Sequence, residues 1–198
     1  MRIWAVTIGL GLALACGAGA WAQTSAPATL PFTVTGSAPQ ICAVSNPVLS
    51  SGALINFQSL NGTSLQIGEL ADPKTLATNT AQATVTFQAV CNYPHQIVLE
   101  SQNNGLYRDG AAGATPPTGF ADGVPYTAQL TWGDVTSTFF VAATTRQTTQ
   151  DRVVVPKPTA GDIKIQLTIQ AGASNLSANS PLIAGVYTDT LRVTVEPQ

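Results

Sequence analysis

The chain has 198 residues, enough for one domain of ordinary size or two small ones, and we expect one. Charged residues make up 9% of it, against about 25% in an average soluble protein, and the formal net charge is −2. This composition excludes the basic surface that binds nucleic acid and the polybasic patch that binds an anionic membrane, so no nucleic-acid partner is expected.

The first 22 residues have the features of a signal peptide. Arg2 gives a basic start, an apolar run covers residues 3–15, and the small-residue site "AWA" ends the segment. We therefore predict export and cleavage before Gln23. Two alternatives stay open: a retained membrane helix, because the apolar length approaches the roughly 20 residues that span a bilayer, and lipidation at Cys16.

The mature chain begins with an alternating segment, residues 28–38. Its apolar residues share one phase, while threonines and a serine mostly occupy the other, which is the period of two of a half-buried strand. Gly36 and Pro39 follow before the next apolar segment, so this predicted strand has no hairpin partner close behind it. The apolar phase consists of Leu30, Phe32, Val34 and Ala38.

Two cysteines stay in the mature chain, because removal of the leader takes Cys16 with it. In a chain delivered to an oxidising compartment such a pair is expected to be bonded, so we predict the disulfide Cys42–Cys91. The alternative is two separate buried thiols. Cys91 ends an alternating segment in its apolar phase, which directs its side chain into the core.

Alternation continues through the interior of the chain, and no segment has the apolar spacing of an amphipathic helix. Residues 82–91, 124–133 and 162–170 show the pattern most clearly. Further strands are predicted at residues 41–48, 53–58, 95–101, 137–144 and 152–156. Strands with one polar face, separated by turn residues, are typical of antiparallel sheets, so we predict an all-β sandwich.

The mature chain offers little catalytic chemistry. Its one histidine, His95, follows a turn and begins a predicted strand, with no carboxylate placed to orient it as a base. Glu69 and Asp72 are close in sequence, but a turn explains them. No metal-site spacing and no phosphate-binding loop occurs, so we expect no enzyme activity, no metal and no small-molecule cofactor.

The closing segment, "AGVYTDTLRVTVEPQ", reads as a strong strand at the end of the chain. Its apolar phase contains Tyr187, Leu191, Val193 and Val195, and Asp189 lies in the same phase. A carboxylate there is costly unless it is hydrogen-bonded, so we predict that Asp189 caps the turn before the strand. A functional carboxylate is the alternative.

Residues 187–195 resemble the terminal motif of the spore coat protein U domain family, which includes archaic chaperone-usher pilus subunits. Three other features fit the family: Cys42 after a leading strand, Cys91 at the end of "VTFQAVC", and "YTAQLTWGD" at residues 126–134. The resemblance covers essentially the whole mature chain. It departs at Asn56–Gln58, where the family commonly has Phe-Gly.

The resemblance implies an incomplete immunoglobulin-like antiparallel β-sandwich whose missing strand is supplied by a neighbour. Residues 23–40 would then form an N-terminal donor-strand extension, and residues 41–198 the pilin domain. The implied site residues form three groups: donor anchors Leu30, Phe32, Val34 and Ala38; acceptor-groove edge Tyr187, Leu191, Val193 and Val195; family motif Tyr187, Asp189 and Thr190.

The same resemblance implies the partners and the location. The expected partners are homologous pilus subunits in a head-to-tail polymer, a periplasmic chaperone and an outer-membrane usher. The chain would pass through the periplasm to a surface pilus or the extracellular space and support adhesion or biofilm formation. The alternative is a self-contained secreted β-sandwich that acts as a coat component or a carbohydrate-binding module.

Overall fold

Residues 30–50, 54–110 and 115–198 are the part of the chain that this computed structural model describes. The predicted leader, residues 1–22, lies outside the described residues, as do residues 23–29 of the predicted extension. The described residues form strands and no α-helix, and none of them belongs to a helix long and apolar enough to cross a membrane. The all-β prediction is confirmed.

The described part of the chain contains fourteen strands. In chain order they are β1 (Cys42–Val44), β2 (Val48–Leu49), β3 (Phe57–Asn61), β4 (Ser64–Ile67), β5 (Ala81–Cys91), β6 (His95–Ser101), β7 (Leu106–Arg108), β8 (Gly123–Val124), β9 (Tyr126–Trp132), β10 (Val135–Val141), β11 (Thr149–Val155), β12 (Thr159–Ile169), β13 (Tyr187–Thr188) and β14 (Leu191–Pro197).

The largest sheet has the strand order β1-β5-β12-β9-β10, and β2 also pairs with β5. All of its pairings are antiparallel. Strands β5 and β12, of eleven residues each, pair along their whole length, from Thr159 opposite Cys91 to Ile169 opposite Ala81. The alternation that predicts these strands also sets their buried face, because successive side chains point to opposite sides of a sheet.

The second sheet has the order β11-β6-β14, again antiparallel. One core cluster combines buried residues of this sheet, such as Ile97 and Leu99, with Trp132, Leu130 and Ile163 of the largest sheet. This arrangement is consistent with a β-sandwich. Trp132 has no exposed surface, and replacing such a buried Trp by Ala typically costs about 3–5 kcal/mol.

Two small sheets complete the described fold. Strand β7 lies between β13 and β8, and β3 pairs with β4 in a hairpin. The hairpin turns at Asn61-Gly62, where Gly62 has a φ of 62°, a conformation that glycine adopts without steric cost.

Several of the predicted strands differ from the observed ones. Residues 41–48 form two short strands, β1 and β2, because Pro47 has no N–H for the ladder. The strand predicted at residues 53–58 begins at Phe57 instead, after Asn56, whose φ of 55° is not a strand conformation. Residue 53 lies outside the described part. In the single chain residues 30–38 belong to no strand, because a strand needs a hydrogen-bonding neighbour, and residues 28 and 29 lie outside the described part.

The predicted terminal strand is divided in two. Tyr187 and Thr188 form β13 and pair with β7, whereas residues from Leu191 onward form β14 and pair with β6. Tyr187 therefore lies on a different sheet from the rest of the predicted acceptor-groove edge, which is a correction to the sequence-based interpretation.

Candidate functional site

Strand β14 is one of the two edge strands of the second sheet. Its residues pair with β6 from Leu191 opposite Ser101 to Pro197 opposite His95. Among the described residues, no other strand pairs with β14, so its second backbone edge has no ladder partner. An unpaired edge of this kind is a template for the addition of another strand.

The core-facing side chains of β14 are only partly covered. Leu191, Val193 and Val195 are half-buried and pack against the core cluster. By contrast, Ile97 and Leu99 on the neighbouring strand β6 have 0% exposed surface. The core is therefore incompletely shielded from solvent along β14, where these three branched aliphatic side chains form a stripe.

The first strands of the largest sheet are also incompletely covered. Cys42 and Leu49 are half-buried against the core cluster, and Val44, in the same register phase as Cys42, is 49% exposed. Strands β1 and β2 have three and two residues, so they pair with β5 along only part of its length. Both the first and the last strand of this unit thus present apolar side chains at a sheet edge.

The other edges of the two sheets are connected to each other. Ser137 on β10 donates a hydrogen bond to Asp151 Oδ2 on β11, with the oxygens 3.0 Å apart. Only residues 142–148 separate these two strands in the chain. The two sides of the fold therefore differ: side chains join β10 to β11, whereas β14 has a free edge among the described residues.

The predicted disulfide Cys42–Cys91 is present. The two cysteines face each other in the β1–β5 register, with their Cα atoms 4.2 Å apart. The bond closes a separation of 49 residues. It fastens the three-residue strand β1 to the long strand β5, at the end of the fold where β6 begins.

Asp189 is hydrogen-bonded, as its position in an apolar phase requires. Its Oδ1 accepts from the backbone N–H groups of Thr190 (2.8 Å) and Asn103 (2.9 Å). Its Oδ2 accepts from the Tyr126 hydroxyl at 2.7 Å and the Ser101 hydroxyl at 2.5 Å. The carboxylate thus does more than cap a local turn, because it joins the beginning of β14 to β6 and to β9 of the largest sheet.

The environment of Asp189 affects Tyr126. Tyr126 is 7% exposed. Burial, and then the negative charge of Asp189, raise the pKa of the Tyr126 hydroxyl far above its usual range, because both disfavour the tyrosinate form. The hydroxyl therefore stays protonated and donates to the carboxylate.

Tyr187 anchors the segment before β14. Its hydroxyl donates to the backbone oxygen of Ile183 at 2.8 Å. Burial, and then the charge of Asp122, raise the pKa of Tyr187 to about 12. The ring also lines an open apolar pocket of about 560 Å³ with Leu76, Phe120 and Leu182. Of the three residues of the predicted family motif, Asp189 and Thr190 directly precede β14, while Tyr187 lies on β13.

The predicted donor anchors are exposed. Leu30, Phe32 and Val34 are 86%, 84% and 89% exposed, and Ala38 is exposed too. Of the described residues, 30–37 belong to a different structural unit from residues 38–198. Three large apolar side chains on one phase of an uncovered segment are a feature of interaction sites.

The residues considered for chemistry have structural positions. Asp72 Oδ1 accepts from the backbone N–H groups of Thr75 and Lys74. These hydrogen bonds lower the pKa of Asp72, and the one from Thr75 has the larger effect. The predicted turn is thereby confirmed. The side chain of Asn56 makes two hydrogen bonds to the backbone of Glu69. Its Oδ1 accepts from the Glu69 N–H, and its Nδ2 donates to the Glu69 carbonyl oxygen. His95 begins β6, as expected, but it is fully buried.

No family model and no curated protein matches this chain. The terminal motif and the geometry of β14 are therefore the observations that bear on function.

Sequence reasoning missed two groups of residues around this site. It did not find Ser101 and Tyr126 as partners of Asp189, and no sequence signal links residues so far apart. It also did not place His95 beside Cys42 and Cys91, although the short spacing from Cys91 to His95 across a turn was a usable signal, because it puts the two on consecutive strands.

Proposed function

We propose that this chain is a structural subunit of an exported surface pilus, built as an incomplete immunoglobulin-like sandwich and assembled by donor-strand complementation. The observation that carries the proposal is the unpaired edge of β14 together with its half-buried stripe, Leu191, Val193 and Val195. The resemblance of the terminal motif to that of pilus subunits points the same way.

The free edge of β14 favours the addition of a strand. The exposed N–H and C=O groups would be paired in a new ladder, and the half-covered aliphatic side chains would be buried by alternate side chains of the incoming strand. Such an edge is aggregation-prone until a strand covers it. A periplasmic chaperone would cover the edge before assembly. An usher would then replace the chaperone by the donor strand of another subunit, so that the edge is never left uncovered.

The N-terminal segment has the properties of the donor. Leu30, Phe32 and Val34 recur with a period of two and are at least 84% exposed in the single chain. Burying a large apolar side chain contributes about 1.5–3 kcal/mol, so three anchors and a backbone ladder would give a long-lived link. Because the donor and the acceptor are different surfaces, the contact is head-to-tail and produces a filament.

The disulfide supports an extracytoplasmic location. The pair Cys42–Cys91 is bonded, and disulfides persist in oxidising compartments such as the periplasm and the cell surface. With the predicted leader, this favours export through the periplasm to a surface pilus. Adhesion or biofilm formation would be the collective outcome of many subunits.

The experiment compares two neighbouring substitutions in the donor segment. The chain is expressed with an archaic-type chaperone and usher, and polymers that resist detergent are measured on gels of unboiled samples. Phe32→Asp should abolish the polymers, because a buried carboxylate would be desolvated without a partner. Thr33→Asp, one position along in the opposite phase, is the matched control and should leave the polymers at the parental level.

Two outcomes would contradict the proposal. If polymers of Phe32→Asp persist at the parental level, Phe32 is not a donor anchor. If the isolated Phe32→Asp monomer unfolds while Thr33→Asp does not, the segment folds into its own domain. The second outcome would favour the self-contained sandwich, a coat component or a carbohydrate-binding module.

A further inference from the structure

We propose that the dithiol form of this protein carries a zinc site made of Cys42, Cys91 and His95. The two Sγ atoms and a ring nitrogen of His95 all lie within 4.8 Å of one another. Zn²⁺ binds thiolate sulfur at about 2.3 Å and imidazole nitrogen at about 2.0–2.1 Å, so its tetrahedral ligand atoms lie roughly 3.5–3.8 Å apart. The cluster needs only small movements to reach that spacing once the S–S bond is broken.

The strand register holds the two sulfur ligands together without the disulfide. Cys42 and Cys91 are directly opposite in the β1–β5 pair, with a Cα–Cα distance of 4.2 Å, so both side chains lie on the same face of the sheet. Cys91 is 1% exposed, whereas Cys42 is half-buried. Solvent therefore reaches the site from the Cys42 side, and a water molecule would complete the coordination of a metal with three protein ligands.

His95 has the hydrogen bonding of a metal-binding histidine. Its Nδ1 lies 2.8 Å from the backbone oxygen of Tyr93. Because a carbonyl oxygen only accepts, Nδ1 carries a proton, and in the neutral imidazole, the form that binds metals, Nε2 keeps a free lone pair. Zinc-bound histidines generally donate their other N–H to a carboxylate or a backbone carbonyl in this way.

In the disulfide form, the lone pair on Nε2 of His95 accepts no hydrogen bond from the described part of the chain. The side chain has 0% exposed surface, and Nε2 has no hydrogen-bond partner in the described part of the chain. Buried polar atoms are usually paired, so this one calls for an explanation. The Trp132 ring lies beside it, with its centroid 4.7 Å from that of His95, and the buried indole Nε1 of Trp132 also has no hydrogen-bond partner among the described residues. Zinc in the dithiol form supplies the partner that Nε2 of His95 lacks.

The disulfide and the metal compete for the same two sulfur atoms. A dithiol reductant transfers two electrons and two protons to the Cys42–Cys91 bond and is itself oxidised to a disulfide. Binding of Zn²⁺ to the resulting thiols releases two protons, since thiolates are the ligands. Zinc-bound thiolates are not free for oxidation, so zinc should slow the formation of the disulfide.

The test uses the full mature chain in both redox forms. The protein is reduced with a phosphine under anaerobic conditions, incubated with Zn²⁺ alone and washed, and zinc per chain is measured. We expect one zinc per reduced chain and none per oxidised chain, with the far-UV circular dichroism of the folded protein. Co²⁺ in place of zinc should give tetrahedral d–d bands and a sulfur-to-cobalt charge-transfer band.

The role of His95 is tested by substitution and by spectroscopy. His95→Gln removes the imidazole ligand and should lose the zinc; its folding is checked in the oxidised form. If that variant does not fold, X-ray absorption of the zinc-loaded parental protein decides, because imidazole has a distinct scattering pattern. A reduced chain without zinc, zinc bound only to an unfolded chain, parental zinc affinity in folded His95→Gln, or two sulfurs without imidazole would each overturn the proposal.

Discussion

The hydroxyl of Tyr126 donates a 2.7 Å hydrogen bond to Oδ2 of Asp189 and so joins the largest sheet to the beginning of β14. The same carboxylate oxygen accepts from Ser101 on β6. Three elements therefore meet at one side chain, directly before the strand whose edge is the proposed acceptor. This geometry predicts that Asp189 contributes to stability far more than other aspartates of the domain.

Asp189→Ala should lower the free energy of unfolding by about 3 kcal/mol, because it removes charge-assisted hydrogen bonds and leaves the buried hydroxyls of Ser101 and Tyr126 without this acceptor. Asp162→Ala is the matched control. Asp162 is exposed on β12, and its replacement should change stability by no more than about 0.5 kcal/mol. Guanidinium unfolding of both variants measures the difference, and equal losses would contradict the role given to Asp189.

Stability should fall at alkaline pH through the buried tyrosines. Tyr187 has a folded-state pKa of about 12, above the value of about 10 in an unfolded chain. The stability that Tyr187 contributes is therefore fully present below about pH 10. It is lost as the pH rises toward 12, because the tyrosine releases its proton in the unfolded state first. Tyr126, whose pKa is raised further, acts in the same direction.

The measurement is the denaturation midpoint at intervals across this alkaline range. Tyr187→Phe should make the decline less steep than in the parental chain, because one proton fewer is released on unfolding. A variant with the same pH dependence as the parental chain would show that Tyr187 ionises alike in the folded and unfolded states.

Reduction of the disulfide should destabilise the domain by about 4 kcal/mol, the chain-entropy value for a loop of this length. The loop spans 49 positions between Cys42 and Cys91. The midpoint of guanidinium unfolding is compared with and without a phosphine reductant, in the presence of a chelator that removes zinc. The double variant Cys42→Ser/Cys91→Ser should be insensitive to the reductant. A parental chain that is equally insensitive would mean that the disulfide does not constrain the unfolded state.

The sequence predicts best what depends on near neighbours in the chain. The buried face of β9, with Ala128, Leu130 and Trp132 at 0% exposed surface, follows from a period of two that is visible within a few residues. The partners of Asp189 do not, since Ser101 and Tyr126 are 88 and 63 positions away. Residues 30–38 show why alternation alone is insufficient: the pattern indicates a face to be buried but supplies no neighbouring strand.

The head-to-tail arrangement makes a prediction about pairs of variants. Phe32→Asp removes the donor and leaves the acceptor edge unchanged. Val193→Asp places a carboxylate in the half-buried stripe of β14 and leaves the donor unchanged. Each variant alone should fail to polymerise, while Thr194→Asp, on the exposed face of the same strand, should polymerise like the parental chain.

Mixing the two defective variants should give dimers and nothing longer. The intact donor of Val193→Asp can enter the intact edge of Phe32→Asp, but the resulting pair has no functional donor and no functional acceptor left. Native mass spectrometry of variants released from chaperone complexes measures the one-to-one dimer, and circular dichroism shows that both are folded. Two folded variants that remain monomeric when mixed would contradict a contact between residues 30–34 of one chain and β14 of the next.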